Sequence, residues 1–335
     1  MAQIRLLVVD DSLFMLRLLE DIFRTDPEIS VVGTARDGEE ALSKIASLHP
    51  DVVTMDIEMP KMSGLTALRK IMKTNPLPVV MISTLTQREA QLTLTALEFG
   101  AVDYVPKPSA QSLNMHALRD ELISKIKTAA LANLSPLKQV IHEDLLPTKN
   151  NDKIISIAAS TGGPPAVTEI LKAFPPDIPP MLIVQHMPRG ITKLFAERLQ
   201  NVCKFRVKEA EDGDNIVAER VLLAPGGFHM VVTRERKVRL TEDPPVNYVR
   251  PSADVTMMSM AKVYGSKSIG VVLTGMGSDG ARGIKAIKEN GGFTIAQDEQ
   301  TSVVFGMPKV AAQMGFVDKV APLDFIPREI MKACN

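Results

Sequence analysis

The chain has no tryptophan, few aromatic residues (4%), two cysteines and no net charge. Each shortage excludes something. With Lys+Arg and Asp+Glu both at 39, nothing electrostatic recommends a nucleic acid or an anionic membrane as a partner. No terminal helix-turn-helix or basic patch is apparent, which argues against a DNA-binding regulator. Cys203 and Cys334 lie far apart, without metal-ligand spacing. They suit a reducing cytosol better than a disulfide framework. The five histidines include no His-x-x-x-His pair, so a metallohydrolase is not indicated. No apolar run approaches the ~20 residues of a membrane span. The apolar run at 4–9 is too short for a secretory signal and leads straight into Asp10-Asp11. A cytoplasmic protein without membrane insertion is expected.

What the chain does have is length and alternation. Its 335 residues suit two domains, each large enough for its own core. Apolar strands at 4–9, 30–35, 51–56, 78–83 and 102–105 alternate with helical spacing at 15–23, 38–46 and 65–72. This predicts an α/β domain over 1–122 with a doubly wound, five-stranded parallel sheet. Residues 123–152 read as an interdomain linker, with helix extending over 124–132 and breakers at Ser135-Pro136 and Pro147. A second α/β domain is expected over 153–335. It has strands at 154–158, 181–185, 221–224 and 268–273, and helices at 165–173, 193–200, 255–263 and 280–290. Its sheet reads as mostly parallel, with an antiparallel hairpin at 230–232 and 238–240. Lys204, Arg206 and Lys208 alternate as a solvated face, and Met257, Met258 and Met260 read as helix packing.

In a parallel sheet, binding groups gather beyond the carboxyl ends of the strands. In the first domain Asp10 and Asp11 follow the first strand, Asp56 ends the third, Ser83 and Thr84 end the fourth, and Lys107 follows the fifth. Three converging carboxylates repel each other unless a cation sits among them, and magnesium prefers such oxygen donors. A lysine and a hydroxyl nearby suit the oxygens of a phosphoryl group on Asp56. Taken singly, each residue has a bland reading as a helix cap or a solvated charge. The ordered set, with Met59-Pro60, Gly64 and Lys107-Pro108, resembles the receiver domain of response regulators. That resemblance implies a flavodoxin-like fold and phosphorylation of Asp56 by a histidine kinase. It further implies Mg2+ held by Asp10, Asp11 and Asp56, and a switch at Ser83 and Tyr104 beside Lys107.

In the second domain Ser160 follows a strand and precedes Thr161-Gly162-Gly163-Pro164, small residues that permit a sharp strand-to-helix turn. A serine there is either a nucleophile or a helix N-cap. His186 ends the next strand. Asp279 lies in the glycine-rich stretch 274–280, where a carboxylate caps a helix or orients an imidazole. Serine, histidine and aspartate at strand ends fit the logic of a triad, in which roles matter more than chain order. His229, after Pro225-Gly226-Gly227, is a rival base.

The motifs are long. They run through Ala158–Gly163, Gln185–Pro188, Leu223–Met230, Arg250-Pro251-Ser252-Ala253-Asp254, the stretch 273–281, Ala296–Glu299 and Met307–Lys309. Over 153–332 they resemble the catalytic domain of chemotaxis protein-glutamate methylesterases, with Ala158 replacing a usual glycine. The resemblance implies Ser160 as nucleophile, His186 as general base and Asp279 as its orienter, with the Met276 N–H in the oxyanion hole and no cofactor for ester hydrolysis. It implies methylated chemoreceptors as substrate, their glutamines as a second substrate by deamidation, and a chemotaxis histidine kinase as phosphodonor. It also implies a receiver that restrains the hydrolase. The rival from another class is a receiver fused to a catalytically dead binding module.

Overall fold

Five strands too apolar to leave either face in water organise the first part of the chain. The computed structural model describes residues 3–84, 86–107, 115–134 and 152–335 and divides into two units, Met1–Leu134 and Ser135–Asn335. The first unit runs β1 (Ile4–Val9), α1 (Leu13–Arg24), β2 (Ile29–Ala35), α2 (Gly38–Leu48), β3 (Val52–Asp56) and α3 (Gly64–Thr74). It continues with β4 (Val79–Ser83), α4 (Gln87–Glu98), β5 (Asp103–Pro106) and α5 (Met115–Ala130). All five strands are parallel, in the order β2-β1-β3-β4-β5. Strands β3 and β4 are buried along their whole length, as expected of a sheet covered by helices on both faces. The side chains of Ser12, Asp37, Ser63 and Thr86 accept N–H bonds from the first turns of α1, α2, α3 and α4, so each helix starts where its capping residue stands.

The segment read as a linker begins as helix. Helix α5 continues unbroken to Ala130, with Leu122, Ile126 and Ala129 buried. Residues 135–151 of that segment, with both expected breakers, lie outside the described residues, as does Pro108.

The second unit runs β6 (Ile154–Ala159), α6 (Gly163–Ala173), β7 (Met181–Gln185), α7 (Ile191–Gln200), β8 (Arg206–Glu209) and β9 (Arg220–Leu223). Then come β10 (His229–Val232), β11 (Val238–Thr241), α8 (Ala253–Tyr264), β12 (Ser268–Val272) and α9 (Ala281–Glu289). It ends with β13 (Phe293–Gln297), α10 (Met307–Gln313), β14 (Lys319–Ala321) and α11 (Ile326–Cys334). Seven parallel strands form one sheet in the order β14-β13-β12-β6-β7-β9-β8, and β10 and β11 form a separate antiparallel hairpin. Chain order reverses around β6, whose neighbours are β7 and β12. The mouth of such a sheet lies beyond the carboxyl end of that central strand.

The periodicity does not reveal β13, β14, α10 or α11. Thr294 and Gln297 interrupt the apolar pattern of β13, yet both are fully buried because their side chains are hydrogen-bonded within the fold. The expected solvated face at 204–208 is present at Lys204 and Arg206, which are exposed and alternate with buried Phe205 and Val207, while Lys208 is half-buried. Lys208 belongs to β8 and pairs with Glu211 and Asp214 at 2.9 and 3.0 Å. Of the methionines, Met257 and Met260 are fully buried in the core of α8 and α9, but Met258 is 37% exposed. Among the described residues no helix is long and apolar enough to cross a membrane.

Gly64 fixes the loop after β3. A Cβ at this position would lie 1.8 Å from the carbonyl oxygen of Asp56, and a backbone atom cannot rotate away. Gly64→Ala is therefore expected to destabilise the first unit by ~2 kcal/mol or more, the class of large effect reserved for backbone conflicts. Thermal unfolding followed by circular dichroism measures it, and an unchanged melting temperature would show that the loop can give way.

Candidate active site

The ends of β6, β7 and β12 bring the predicted hydrolase residues together. Ala159 and Gln185 are paired in register, and the His186 N–H donates to Ala159 O at 3.2 Å. Ser160 and His186 therefore leave adjacent strand ends side by side. The Ser160 N–H donates to Thr274 O at 3.0 Å, tying the turn to the end of β12. Gly275 presses against it so closely that a Cβ there would sit 2.7 Å from the Ser160 Cβ. From beneath, Gln185 Nε2 donates to Ser160 O at 3.0 Å.

The turn itself separates the two readings of Ser160. The residue capping α6 is Gly162, at φ 73°, and no side chain caps that helix. Ser160 is thus not an N-cap, and its side chain is half-buried at the mouth of the sheet. The methyl of Ala158 lies two residues earlier, within β6 and in the core, so it leaves the turn alone.

His186 Nε2 lies 2.8 Å from Asp279 Oδ2. Nδ1 has no hydrogen-bond partner among the described residues. The Asp279 carboxylate does not cap its own helix, since Gly280 precedes α9 without a side-chain cap. It receives the start of α8 instead. Ser252 Oγ and the N–H groups of Ala253 and Asp254 donate to it at 2.6, 2.6 and 3.1 Å, and Asn247 Nδ2 lies 3.4 Å away. Burial raises the pKa of this carboxylate. The bonds from His186, Ser252 and Ala253 outweigh burial and bring it down to about 2. The positive end of α8 acts in the same direction. Ser252, Ala253 and Asn247 are the functional partners that sequence reasoning missed. Ser252 and Ala253 stood in the Arg250–Asp254 motif, but nothing local ties that motif to Asp279.

His229, the rival base, is buried at the head of β10. Its Nδ1 accepts from the Ser252 N–H at 3.1 Å, and its Nε2 donates to Pro244 O at 3.1 Å. Both ring nitrogens are occupied by backbone, so the ring braces the α8 entry and is not available as a base. Met276 is 44% exposed and immediately follows Gly275, the residue packed on Ser160.

In the first unit, oxygen atoms of Asp10, Asp11 and Asp56 lie within 4.8 Å of one another. Lys107 Nζ sits 2.9 Å from Asp10 and 2.7 Å from Asp56. Burial pushes Asp56 up to about 6; Lys107 pulls against that rise, and Asp10 adds to it. Three carboxylates thus face one ammonium, and an all-oxygen donor set with excess negative charge fits a hard divalent cation such as Mg2+. Ser83 is buried but turned toward α4: its Oγ bonds to Glu89 Oε2 at 3.2 Å and to Thr93 Oγ1 at 3.0 Å. Tyr104 is buried, and its hydroxyl has no partner among the described residues.

The depressed pKa of Asp279 predicts a pH effect. Its folded value of about 2 lies below the ordinary 3.8, so its stabilisation is complete above pH ~4 and is lost as pH falls through ~2, amounting to about 2 kcal/mol. Urea unfolding of wild type and Asp279→Asn across that window should show the wild type losing this increment and the variant not. Parallel losses in both would assign the pH dependence to other groups.

The comparisons with known proteins agree along the whole chain. A family model for the CheB methylesterase matches residues 155–330, and one for the response regulator receiver domain matches residues 6–119. A Pyrococcus horikoshii protein named protein-glutamate methylesterase/protein-glutamine glutaminase is 49% identical, covering 99% of this chain and 94% of its own. A Symbiobacterium thermophilum protein of the same name is 45% identical, covering 98% and 97%. The crystal structure of the Thermotoga maritima CheB methylesterase catalytic domain is 42% identical, with a TM-score of 0.52, and covers 54% of this chain and 97% of that one. The chain belongs to the CheB methylesterase family and joins that hydrolase to a response-regulator receiver domain.

Proposed function

We propose that this protein is a phosphorylation-controlled serine hydrolase of the cytoplasm. It would demethylate glutamate γ-methyl esters of methyl-accepting chemoreceptors and deamidate receptor glutamines by the same route. The observation that carries this reading is the 2.8 Å contact of His186 Nε2 with the buried Asp279 carboxylate, with the other ring nitrogen left over at the strand end beside Ser160.

In this reading Ser160 Oγ attacks the ester carbonyl while His186 Nδ1 takes its proton. The ring faces Asp279 through Nε2, so Nδ1 is the basic atom. Asp279 holds that tautomer and stabilises the imidazolium. The Met276 N–H, beside the Ser160 turn, is the proposed donor to the oxyanion. His186 returns the proton to the leaving methoxide, and methanol departs. Water, deprotonated by His186, then cleaves the acyl-enzyme to glutamate and restores Ser160. With a glutamine the leaving group is ammonia, whose nitrogen must be protonated as it departs, so the amide is the harder substrate.

In the receiver, Asp56 is the proposed phosphoacceptor, taking a phosphoryl group from the phosphohistidine of a chemotaxis kinase. Lys107 would hold one phosphoryl oxygen. Ser83 would hold another after leaving Glu89 and Thr93, and Tyr104 would move with it. Asp10, Asp11 and Asp56 would bind Mg2+, which neutralises phosphoryl charge when bound. No cofactor is invoked for ester hydrolysis.

Two experiments test this. Ser160→Ala should cut methanol release from methylated receptor by several orders of magnitude, the usual loss when one member of a triad is removed. It should also abolish labelling by a fluorophosphonate probe. A folded variant keeping a tenth of wild-type turnover would sink the assignment. The second concerns control. Asp56→Asn should abolish activation by a small phosphodonor with magnesium while keeping basal turnover. A fragment beginning at Lys153, matching the separately crystallised Thermotoga maritima catalytic domain, should be active without a donor. A regulatory coupling of ~1–3 kcal/mol corresponds to roughly 5–150-fold activation. A fragment no faster than the unactivated full chain would refute restraint by the receiver.

A further inference from the structure

Helix α8 has two apolar faces, and only one is used. Met257, Met260 and Ala261 are buried in the core. On the other side Val255, Met258 and Lys262 follow one another at helical spacing and line an open groove of about 820 Å³ between α8 and the β10–β11 hairpin. Val231 of the hairpin, Val263 and Val246 complete its apolar wall. Nothing among the described residues covers this face.

The rim is basic. Arg234, Lys262 and Arg282 all line the groove. Arg282 is committed to the buried Asp254, at 3.0 Å. Arg234 and Lys262 are exposed and make no ion pair among the described residues. Desolvating an apolar floor while leaving two unpaired cations at its edge fits a partner with an apolar stripe flanked by carboxylates. From Val255 to Lys262 the groove follows α8 for ~10 Å, about two turns of helix.

The groove also touches the catalytic network. Val246 and Val249 pair across a two-residue turn, each N–H donating to the other's carbonyl at 3.1 Å. The turn residues Asn247 and Tyr248 both have positive φ, 52° and 65°. Side chains rarely adopt that conformation unless the surroundings impose it. Asn247 reaches inward to Asp254 and Asp279, at 3.0 and 3.4 Å. Tyr248 stands wholly exposed at the tip, at 102%. One short turn therefore supplies a wall of the groove, an exposed aromatic ring and a contact to the carboxylate that orients His186.

We propose that this groove docks an acidic, amphipathic helix of the substrate protein alongside the residue being cleaved. The proposal rests on the hydrolase reading above and extends it to how the macromolecular substrate is held. The chemistry agrees with the charge, because every ester or amide cleaved leaves a new carboxylate on the partner. Arg234 and Lys262 would pair with such carboxylates, and Met258 and Val255 would take the apolar stripe.

The test uses the full chain and two substrates: a methylated receptor cytoplasmic fragment, and a small N-acetylglutamate γ-methyl ester too short to reach the groove. The double variant Arg234→Glu, Lys262→Glu should raise KM for the receptor about tenfold at low salt, with kcat unchanged. Its kinetics on the small ester should equal wild type. Met258→Asp should act in the same direction without changing a rim cation. Added salt should raise the wild-type KM for the receptor and, because the introduced carboxylates repel an acidic partner, lower that of the double variant. A receptor KM unchanged in both variants would overturn the proposal, as would equal damage on both substrates. Faster turnover of both substrates by the double variant would also overturn it, assigning the groove to the receiver as occupant. Failure of wild type to release methanol from either substrate would instead sink the hydrolase reading itself.

Discussion

The second unit depends on one buried negative charge. Asp279 is 2% exposed, and an isolated carboxylate at such a site would be strongly disfavoured. It is tolerated because its donors converge from the head of α8, the Asn247 turn and the His186 ring. Each donor costs the chain a local commitment. Helix α8 must begin where its free N–H groups meet the carboxylate. Residues 247 and 248 must enter a left-handed turn. The His186 ring must present Nε2 to the carboxylate. His229, which sequence alone offered as a competitor for catalysis, is part of the same commitment: its ring accepts the Ser252 N–H and so steadies the helix start. One requirement, keeping a charge dry, thus fixes where the His186 ring, the start of α8 and the wall of a neighbouring groove stand.

How much of this was legible beforehand follows from the range of each interaction. The strands β1, β3, β4, β6 and β7 are dense apolar runs, and the residues just past their ends follow from the rule for parallel sheets. Asp10, Asp56, Ser83, Lys107, Ser160 and His186 could therefore be placed without coordinates. The other partners of Asp279 could not. Asp254, Ala253, Ser252 and Asn247 lie 25, 26, 27 and 32 residues away along the chain. Their meeting depends on how α8 crosses the end of β12, which periodicity does not encode. The same limit hid Ser83's engagement with Glu89 and Thr93, and it let Met258 pass as core. A methionine at helical spacing looks alike whether the face it occupies is covered or bare.

Both units use the same topological device and resolve its electrostatics in opposite ways. Each collects acidic groups beyond the carboxyl ends of parallel strands, around a central strand where chain order reverses. In the hydrolase the carboxylate is saturated from within, by backbone N–H groups and side chains already in place, and its ionisation is secured down to a pKa of about 2. In the receiver, three carboxylates cluster and only Asp10 and Asp56 reach the one lysine, Lys107, and burial lifts Asp56 to about 6. That pocket is electrostatically unfinished, so its balance responds to whatever cation or phosphoryl group enters it. The hydrolase pocket is finished, and no comparable addition would change its charge. A division of labour follows from this contrast: the responsive half is the one whose charges the fold does not satisfy, and the constant half is the one whose charges it does.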